Sequence, residues 1–470
     1  MALLSPGVQV VEIDASTIAP TVSNSIAFFA GNFDKGPVGS YLLVSNENDL
    51  INLYGKPTIK NYNDWMQVSN FLKYGNLIYV ARAANTNGSV KVIEGVTVTG
   101  IDSNDSKSVD VSSTENFSVG DIITFSDANG VVLEPFKILS VDTTNNVLTL
   151  DKDAPDVTNG DGSVYNFFQT INSVYEVTSD GSVISDYLPT QDVIGTYDEF
   201  ENAETSIQMS SSATKVKFIA RNPGAWGNNI EIAIANSSDF NSDLNAFSGI
   251  ALDDLFEYYP TDNEVGIIVR LNDKIVETYT VSFDPEARNS SNKSMYIEDV
   301  INQQSSVIFC KDNTNNTNAI PSRLDNNIVK LVEGRDSDMG TDDLSLAYNL
   351  VSNKEEIDID IVIANELDDG ASAVALVNER KDCIVFIGAN YEDCVGKKAS
   401  VAVGNLVEWR QHGSINFNNM FVVACANYVY QYNMYLDKKV WVNIAGHIAG
   451  LRAQTNTNRA SWYDKACHAA

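Results

Sequence analysis

Residues 357–388 read IDIDIVIANELDDGASAVALVNERKDCIVFIG, and the reading of this stretch decides the fold. Residues 357–364 form a short apolar run rich in β-branched side chains, which predicts a strand. Residues 372–380 carry good helix formers, with Val374, Leu376 and Val377 apolar at near-helical spacing. Residues 383–388 (CIVFIG) return to a strand. Strand, helix and strand in so short a span make a βαβ unit with two parallel strands. Strands this apolar are covered on both faces, so the rest of the chain packs around a buried α/β centre. A fold of this kind does not by itself give a function. A nucleotide site would place a Gly-rich turn after the first strand, at a helix N-terminus. The loop 365–371 (NELDDGA) instead puts Glu366, Asp368 and Asp369 there, and those charges repel a phosphate.

Moving outward, residues 25–84 have the same α/β character. SIAFFAG predicts a buried strand. Ser45 or Asn46 caps a short helix carrying Leu50, Ile51 and Leu53, which ends at Gly55 before Pro57. Asn63-Asp64 cap a second helix with Trp65, Val68, Phe71 and Leu72 on one face, and NLIYVARA is another strand. The order is strand, helix, helix, strand. Two such stretches far apart in sequence imply one α/β domain split by insertions.

The insertions read differently. Between residues 89 and 168 helical periodicity vanishes. Short alternating strands (VKVIEGVTVTGI, DIITFSD, PFKILSVD, NVLTLD) are separated by Asn, Asp, Gly and Thr turns, which suggests a small barrel or sandwich. The segment 174–330 is mixed. A strand runs into Asn222-Pro223-Gly224, and Trp226 reads as a packing plug over that turn. Ile230, Ile232 and Ile234 share one face of the next strand. A hairpin turns at Asn272-Asp273, and SMYIEDVI and SVIFC predict a helix and a strand. The fold class is therefore α+β and multidomain: a split central α/β domain with a mixed sheet, an inserted mixed α/β domain and a small all-β, barrel-like domain.

Beyond residue 332, Thr341 caps a helix carrying Leu344, Leu346, Ala347 and Leu350. KKASVAVGNLVEWRQH is a helix, FVVACANYVYQYNMY a strand broadening into an aromatic segment, and KKVWVNIAGHIAGLRAQ a strand, Gly turn and helix. Tyr428, Tyr430, Tyr432 and Tyr435 raise the question of a nucleobase stacking surface. Without basic neighbours, the reading is an aromatic strand in a core or interface.

Composition narrows the function classes. The 470 residues hold 62 acidic and 31 basic side chains, a net charge of −31. The length fits about three domains. The charge argues against a nucleic-acid binder, which needs a basic face. It keeps free subunits apart, so self-assembly is helped by salt or divalent ions. The five cysteines, Cys310, Cys383, Cys394, Cys425 and Cys467, are odd in number and form no CxxC; a reducing compartment without a disulfide framework follows. The N-terminal stretch lacks the pattern of a secretory signal, and no window is long and apolar enough for a membrane span.

A search for chemistry finds no catalytic, cofactor-binding or metal residues. His412, His447 and His468 are the only histidines, and none sits in an HExxH or HxH pattern. There is no GxSxG, P-loop or GxGxxG. His447 reads as a satisfied core or interface histidine. The acidic loop 151–163 lacks the spacing and closing Glu of a calcium loop. Asp253-Asp254 and Asp342-Asp343 are pairs that an acidic chain produces by chance. Asp358 and Asp360 line one face of their strand, either solvated or meeting a basic neighbour.

At the start of the chain, residues 8–14 (VQVVEID) are β-prone and precede the first compact unit. Two readings stay open on physical grounds: an edge strand of its own domain, or an arm added to a neighbour's sheet.

The ordered set LLSPGVQVVE, NDLINLYGKP, FLKYGNLIYVARA, RNPGAWGNNIEI, GIIVRLNDKIVE, KLVEGRDSD, RKDCIVFIG, GNLVEWR and NIAGHIAGLRAQTN resembles the contractile tail sheath proteins of T-even-like myophages, and spans nearly the whole chain. The resemblance implies a structural subunit of the virion tail, assembled in the host cytoplasm into hexameric rings around a tail tube. Such a sheath contracts to drive the tube into the host, and takes no cofactor. The implied partners are other copies of the chain, the tube protein, the baseplate and the tail terminator, without nucleic acid or membrane insertion. The family exchanges strands between terminal arms, which selects the second reading for residues 8–14, with Val8, Val10, Val11 and Ile13 at the subunit interface. The implied domains are an arm at 1–19, a core at 20–87 and 333–470, an inserted domain at 88–95 and 171–332, and a protruding barrel-like domain at 96–170. The family continues past its last helix into a further tube-facing domain, and the sequence after Trp462 predicts a chain without it. Two other classes are the alternatives: a nucleotide- or sugar-processing α/β enzyme with β insertions, and a β-rich virion adhesin, against which the two α/β segments argue.

Overall fold

A computed structural model describes residues 25–102, 105–126, 135–154, 163–178, 193–194, 197–202, 209, 212–237, 246–247, 250–251, 254–256, 260–261, 263–314, 329–368, 370–412 and 419–458. In chain order, the first α/β stretch comprises β1 (Ala27–Gly31), β2 (Tyr41–Val44), α1 (Glu47–Tyr54), α2 (Tyr62–Leu72) and β3 (Ile78–Arg82). The Asn46 side chain accepts the Asp49 N–H and caps α1, and Gly55 closes it at φ 84°. Two details differ from the expectation. YLLV forms a strand antiparallel to β3, where turn signals on both sides hid so short a run. Helix α2 starts earlier, with Asn61 at its N-cap, and Asp64 reaches across to other backbone instead.

The expected barrel is present and closed. Its strands are β4 (Ser89–Ile101), β5 (Ser108–Val111), β6 (Ile122–Phe125), β7 (Phe136–Asp142), β8 (Val147–Leu150) and β9 (Ser163–Phe168), in the order β4-β5-β8-β7-β6-β9. Strands β5 and β9 escaped the sequence reading, because SVDV and SVYNFF lie among turn-forming residues. Closure removes the exposed edges that a small sheet would otherwise leave, around a core that includes Ile123, Phe125, Phe136 and Leu148.

The mixed segment holds β10 (Val174–Thr178), α3 (Tyr197–Asn202), β11 (Thr214–Ala220), β12 (Ile230–Asn236), the short β13 (Ala246–Phe247) and β14 (Ile250–Ala251), β15 (Glu264–Leu271), β16 (Lys274–Ser282), α4 (Ile297–Gln304), β17 (Ile308–Asp312) and β18 (Val329–Lys330). They form a three-stranded sheet β10-β11-β17 and a four-stranded sheet β16-β15-β12-β18. Ile230, Ile232 and Ile234 share a core with Phe218 and Ile267. Asn272 and Asp273, at φ 51° and 63°, make the tight turn between β15 and β16. Trp226 plugs its turn as expected: its indole N–H donates to the Asn222 carbonyl at 3.1 Å, and the Lys35 ammonium lies over the ring.

The chain then returns with α5 (Thr341–Asn349), β19 (Ile361–Ile363), α6 (Ala371–Arg380), β20 (Ile384–Gly388), α7 (Tyr391–Cys394), α8 (Ala399–His412), β21 (Val422–Cys425), β22 (Tyr428–Asn433), β23 (Lys438–Asn443) and α9 (Ala445–Asn458). The central sheet runs β2-β3-β1-β19-β20-β21. All its pairs are parallel except β2 with β3. Strands β1 and β19 come from opposite ends of the sequence, so the split α/β sheet of mixed sense holds. Both faces are buried. Phe28, Val362 and Val385 meet α5 and α6 on one side, and Phe29, Ile361, Ile363 and Phe386 meet α2 and α9 on the other.

The strand expected over 357–364 is confined to Ile361–Ile363. Upstream, the Arg380 guanidinium donates to the Ile357 carbonyl at 2.9 Å and the Val351 carbonyl at 2.6 Å, and so takes up backbone that a ladder would use. Gly340, not Thr341, is the N-cap of α5, and its N–H donates to Asp343. The aromatic segment is a separate hairpin, β22–β23, not a continuation of β21. Gly446 lies inside α9 rather than in a turn. A Cβ there would come 2.4 Å from the Gln67 carbonyl oxygen, and one at Gly450 2.6 Å from the Phe71 carbonyl oxygen. The four-residue spacing matches one turn of α2, so the two helices touch backbone to backbone.

Candidate functional site

Ligands of open α/β sheets bind outside the carboxyl ends of the strands. Here that edge is filled by polar contacts within the chain. Asp64, in the first turn of α2, accepts the Asn32 N–H at 2.7 Å and the Asn365 side-chain amide at 2.7 Å. Burial pushes its carboxyl up to about 7, and Glu366 nearby adds to the shift. Burial also raises Glu366. The Tyr428 hydroxyl lies 2.7 Å from the Ala389 carbonyl and 3.2 Å from Glu366 Oε1. A hydroxyl has one proton, so a protonated Glu366 can donate to Tyr428 while Tyr428 donates to Ala389. Asp368 accepts the Gly370 and Ser372 N–H groups and so caps α6. These groups fix loops to one another.

A second junction lies at the end of β3. Arg82, 2% exposed, donates to the Pro223 and Gly36 carbonyls, and sits 3.6 Å from Asp336. It ties the central sheet to the Asn222–Gly224 turn. Burial lowers its guanidinium to about 10. A cavity of about 560 Å³ adjoins it, lined also by Asp34, Lys60, Asp336 and Asp338.

The hairpin β22–β23 has two unlike faces. Val440 and Val442 turn into the core. Tyr430, Tyr432 and Trp441 turn outward, 53%, 57% and 37% exposed. Tyr430 stands opposite Trp441, with ring centroids 4.8 Å apart. The four tyrosines singled out in the sequence thus divide. Tyr428 and Tyr435 pack inward, and Tyr430 and Tyr432 face solvent, where, against the expectation, they do have basic neighbours: Lys438 and Lys439 on the adjoining strand of the hairpin.

The arm residues Val8, Val10, Val11 and Ile13, and His468, lie outside the described residues. Asp358 and Asp360 are exposed, and Asp360 accepts the Ile26 N–H at 3.2 Å. His447 is half-buried, edge-on to Tyr74. It is not fully satisfied as expected: its Nδ1 has no hydrogen-bond partner among the described residues. Burial lowers it to about 4, so it is neutral at pH 7. Among the described residues no three His, Cys, Asp or Glu side chains group as a metal site would need. The Asp64–Asn365 contact is not legible in the sequence, because its partners lie some 300 residues apart.

No protein-family model matches the chain. It is similar to the tail sheath protein of Enterobacteria phage T4, 28% identical over 508 residues, covering 99% of this chain and 75% of that protein. It is similar also to the tail sheath protein of Vibrio phage KVP40, 24% identical over 532 residues, with 99% and 76% covered. A solved sheath tail protein from Desulfitobacterium hafniense aligns with 95% of this chain and 62% of its own, at 10% identity and a TM-score of 0.41. The alignments with the two phage proteins take in 99% of the chain, and by them the chain is a homologue of phage tail sheath proteins, with the structural role in a phage tail that this homology supports.

Proposed function

We propose that this chain is the repeating subunit of a contractile sheath. Copies stack as hexameric rings around a tail tube, held between the baseplate and the tail terminator. A baseplate signal triggers contraction, which drives the tube into the host for genome ejection. Subunits assemble in the host cytoplasm and act in the virion tail. The 28% identity to the T4 tail sheath protein across 99% of the chain carries this reading. The polar groups at the carboxyl edge support it, since they bond to one another and to the chain's own backbone.

In this reading residues 8–14 add a strand to a neighbour's sheet through Val8, Val10, Val11 and Ile13. Residues 96–170 protrude, and the core spans 20–87 with 333–470. Strand-linked subunits slide without detaching, so contraction needs only a lattice that buries more surface. A gain of ~500 Å² of apolar burial per subunit yields on the order of 10 kcal/mol before the costs of ordering.

Electron microscopy of the purified protein, concentrated at several salt levels, tests the proposal. Rings or helical sleeves with a wide hollow bore are expected. Monodisperse globules under every condition would overturn it.

A further inference from the structure

We propose that the outward face of the β22–β23 hairpin is a docking surface for a second copy of this chain, received on the acidic loop 355–360 of that copy. The proposal rests on the self-assembling reading above and names the residues of one contact.

Three observations carry it. The face is of the kind that supplies binding energy: Tyr and Trp are enriched at interface hot spots. Here Tyr430, Tyr432 and Trp441 lie side by side in the open. It is also rigid before any partner arrives. Tyr435 at the hairpin tip packs edge-on against Trp65 with centroids 5.1 Å apart, and its hydroxyl donates to Glu47 at 2.6 Å. Gln431 donates to Asn70, and Val440 and Val442 anchor the other face. A preordered surface loses little entropy on docking.

The third observation is charge. Residues 395–458 hold six basic side chains, Lys397, Lys398, Arg410, Lys438, Lys439 and Arg452, against Glu408 and Asp437, in a chain of net charge −31. Lys438 and Lys439 are exposed on the hairpin and form no ion pair with a described residue. Lys439 lies 5.7 Å from the Tyr430 ring centroid. An aromatic and basic patch on an acidic protein is complementary to the rest of its own surface. The loop before β19 is the matching feature: Glu355, Glu356, Asp358 and Asp360 are all exposed, and none is ion-paired with a described residue. The charges of Asp358 and Asp382 oppose that of Asp360, so a cation there relieves repulsion. Hairpin and loop are different surfaces. The contact is therefore heterologous and propagates into rings or helices rather than closing as a dimer.

Sedimentation velocity on three proteins tests this: the unaltered chain, a Lys438→Glu/Lys439→Glu variant and a Glu355→Lys/Glu356→Lys variant. All four positions are exposed, and matching urea midpoints check that each variant is folded. The unaltered chain should self-associate, and each variant alone should do so on the order of 30-fold more weakly. An equimolar mixture of the variants should recover, since the basic hairpin of one meets the acidic loop of the other. Variants that associate like the unaltered chain overturn the contact and leave the sheath reading standing. A mixture that stays dissociated overturns the hairpin–loop pairing. An unaltered chain that never self-associates removes both proposals. Saturable binding of a single-stranded oligonucleotide, lost in the Lys438→Glu/Lys439→Glu variant, would assign the face to nucleic acid instead.

Discussion

The Tyr348 hydroxyl donates to the Ile363 carbonyl at 2.7 Å and accepts the Asn365 N–H at 3.2 Å. One side chain from α5 thus closes the backbone at the point where β19 leaves the central sheet. Tyr348 is 1% exposed. Removing the hydroxyl leaves the buried Asn365 N–H without its acceptor and the Ile363 carbonyl with one hydrogen bond fewer, at a cost of ~1–3 kcal/mol. Tyr348→Phe should lower amide exchange protection in β19 and the 364–366 backbone by that amount, while the barrel amides keep theirs. Equal protection in both proteins would show that water replaces the hydroxyl.

The meeting of α9 with α2 gives a sharper steric test. A Cβ on Gly450 would sit 2.6 Å from a backbone oxygen, which no rotamer change relieves. Gly450→Ala should destabilise the central sheet by about 1–3 kcal/mol, the usual cost of overpacking. Gly404, on the exposed α8, has nothing within 4 Å of its Cβ position. Gly404→Ala should therefore be neutral or stabilising, by up to ~1 kcal/mol from helix propensity. Thermal unfolding of both variants checks the contrast, and equal midpoints would contradict the close approach.

These two sites show what the sequence could and could not reveal. Periodicity exposed α6 and the parallel strands beside it, because a helix face and an apolar run are local patterns. Gly446 reads as a turn in the sequence, because a glycine reports equally on backbone freedom and on close packing. Its meaning depends on Gln67, and that of Gly450 on Phe71, each nearly 380 residues away. The strand expected over 357–364 is shorter for a similar reason, since Arg380 claims the Ile357 carbonyl that the apolar run seemed to offer a ladder. Likewise Asp64 looked like a helix cap, because Asn365 is distant in sequence.

Asp64 makes stability depend on pH in an unusual direction for a carboxylate. Its pKa is raised from 3.8 to about 7 in the fold, by burial first. Between those values the folded chain binds the proton and the unfolded chain does not. The contribution is thus fully present below pH 3.8 and is lost as pH rises through about 7. At about 1.4 kcal/mol per unit the ceiling is ~4 kcal/mol, reduced because the side chain is enclosed but not sealed. Asp64→Asn removes the titrating group and one of its two acceptor oxygens, so the variant should compare better with the unaltered chain in urea midpoint at pH 8 than at pH 5, followed by tryptophan fluorescence. A difference independent of pH would mean that the carboxyl is not the source.

In the inserted domain, Lys217 Nζ lies 3.2 Å from Glu176 Oε1, and both side chains are at most 1% exposed. The Thr214 hydroxyl donates to the other carboxylate oxygen at 2.8 Å. Burial lowers the Lys217 pKa, and Glu176 opposes that shift. Two charges taken out of water cost heavily, and their mutual attraction offsets a large part of that loss. Lys217→Met should therefore destabilise the β10-β11-β17 sheet by ~3–5 kcal/mol, because it strands a buried carboxylate. The double variant Glu176→Met/Lys217→Met removes both charges and should regain most of that loss. Amide exchange in β10 and β11 reads both effects locally, which matters because a chain of several domains need not unfold in one step. If the double variant is as damaged as the single one, the pair contributes net stability, and the cost of desolvating it is smaller than its burial implies.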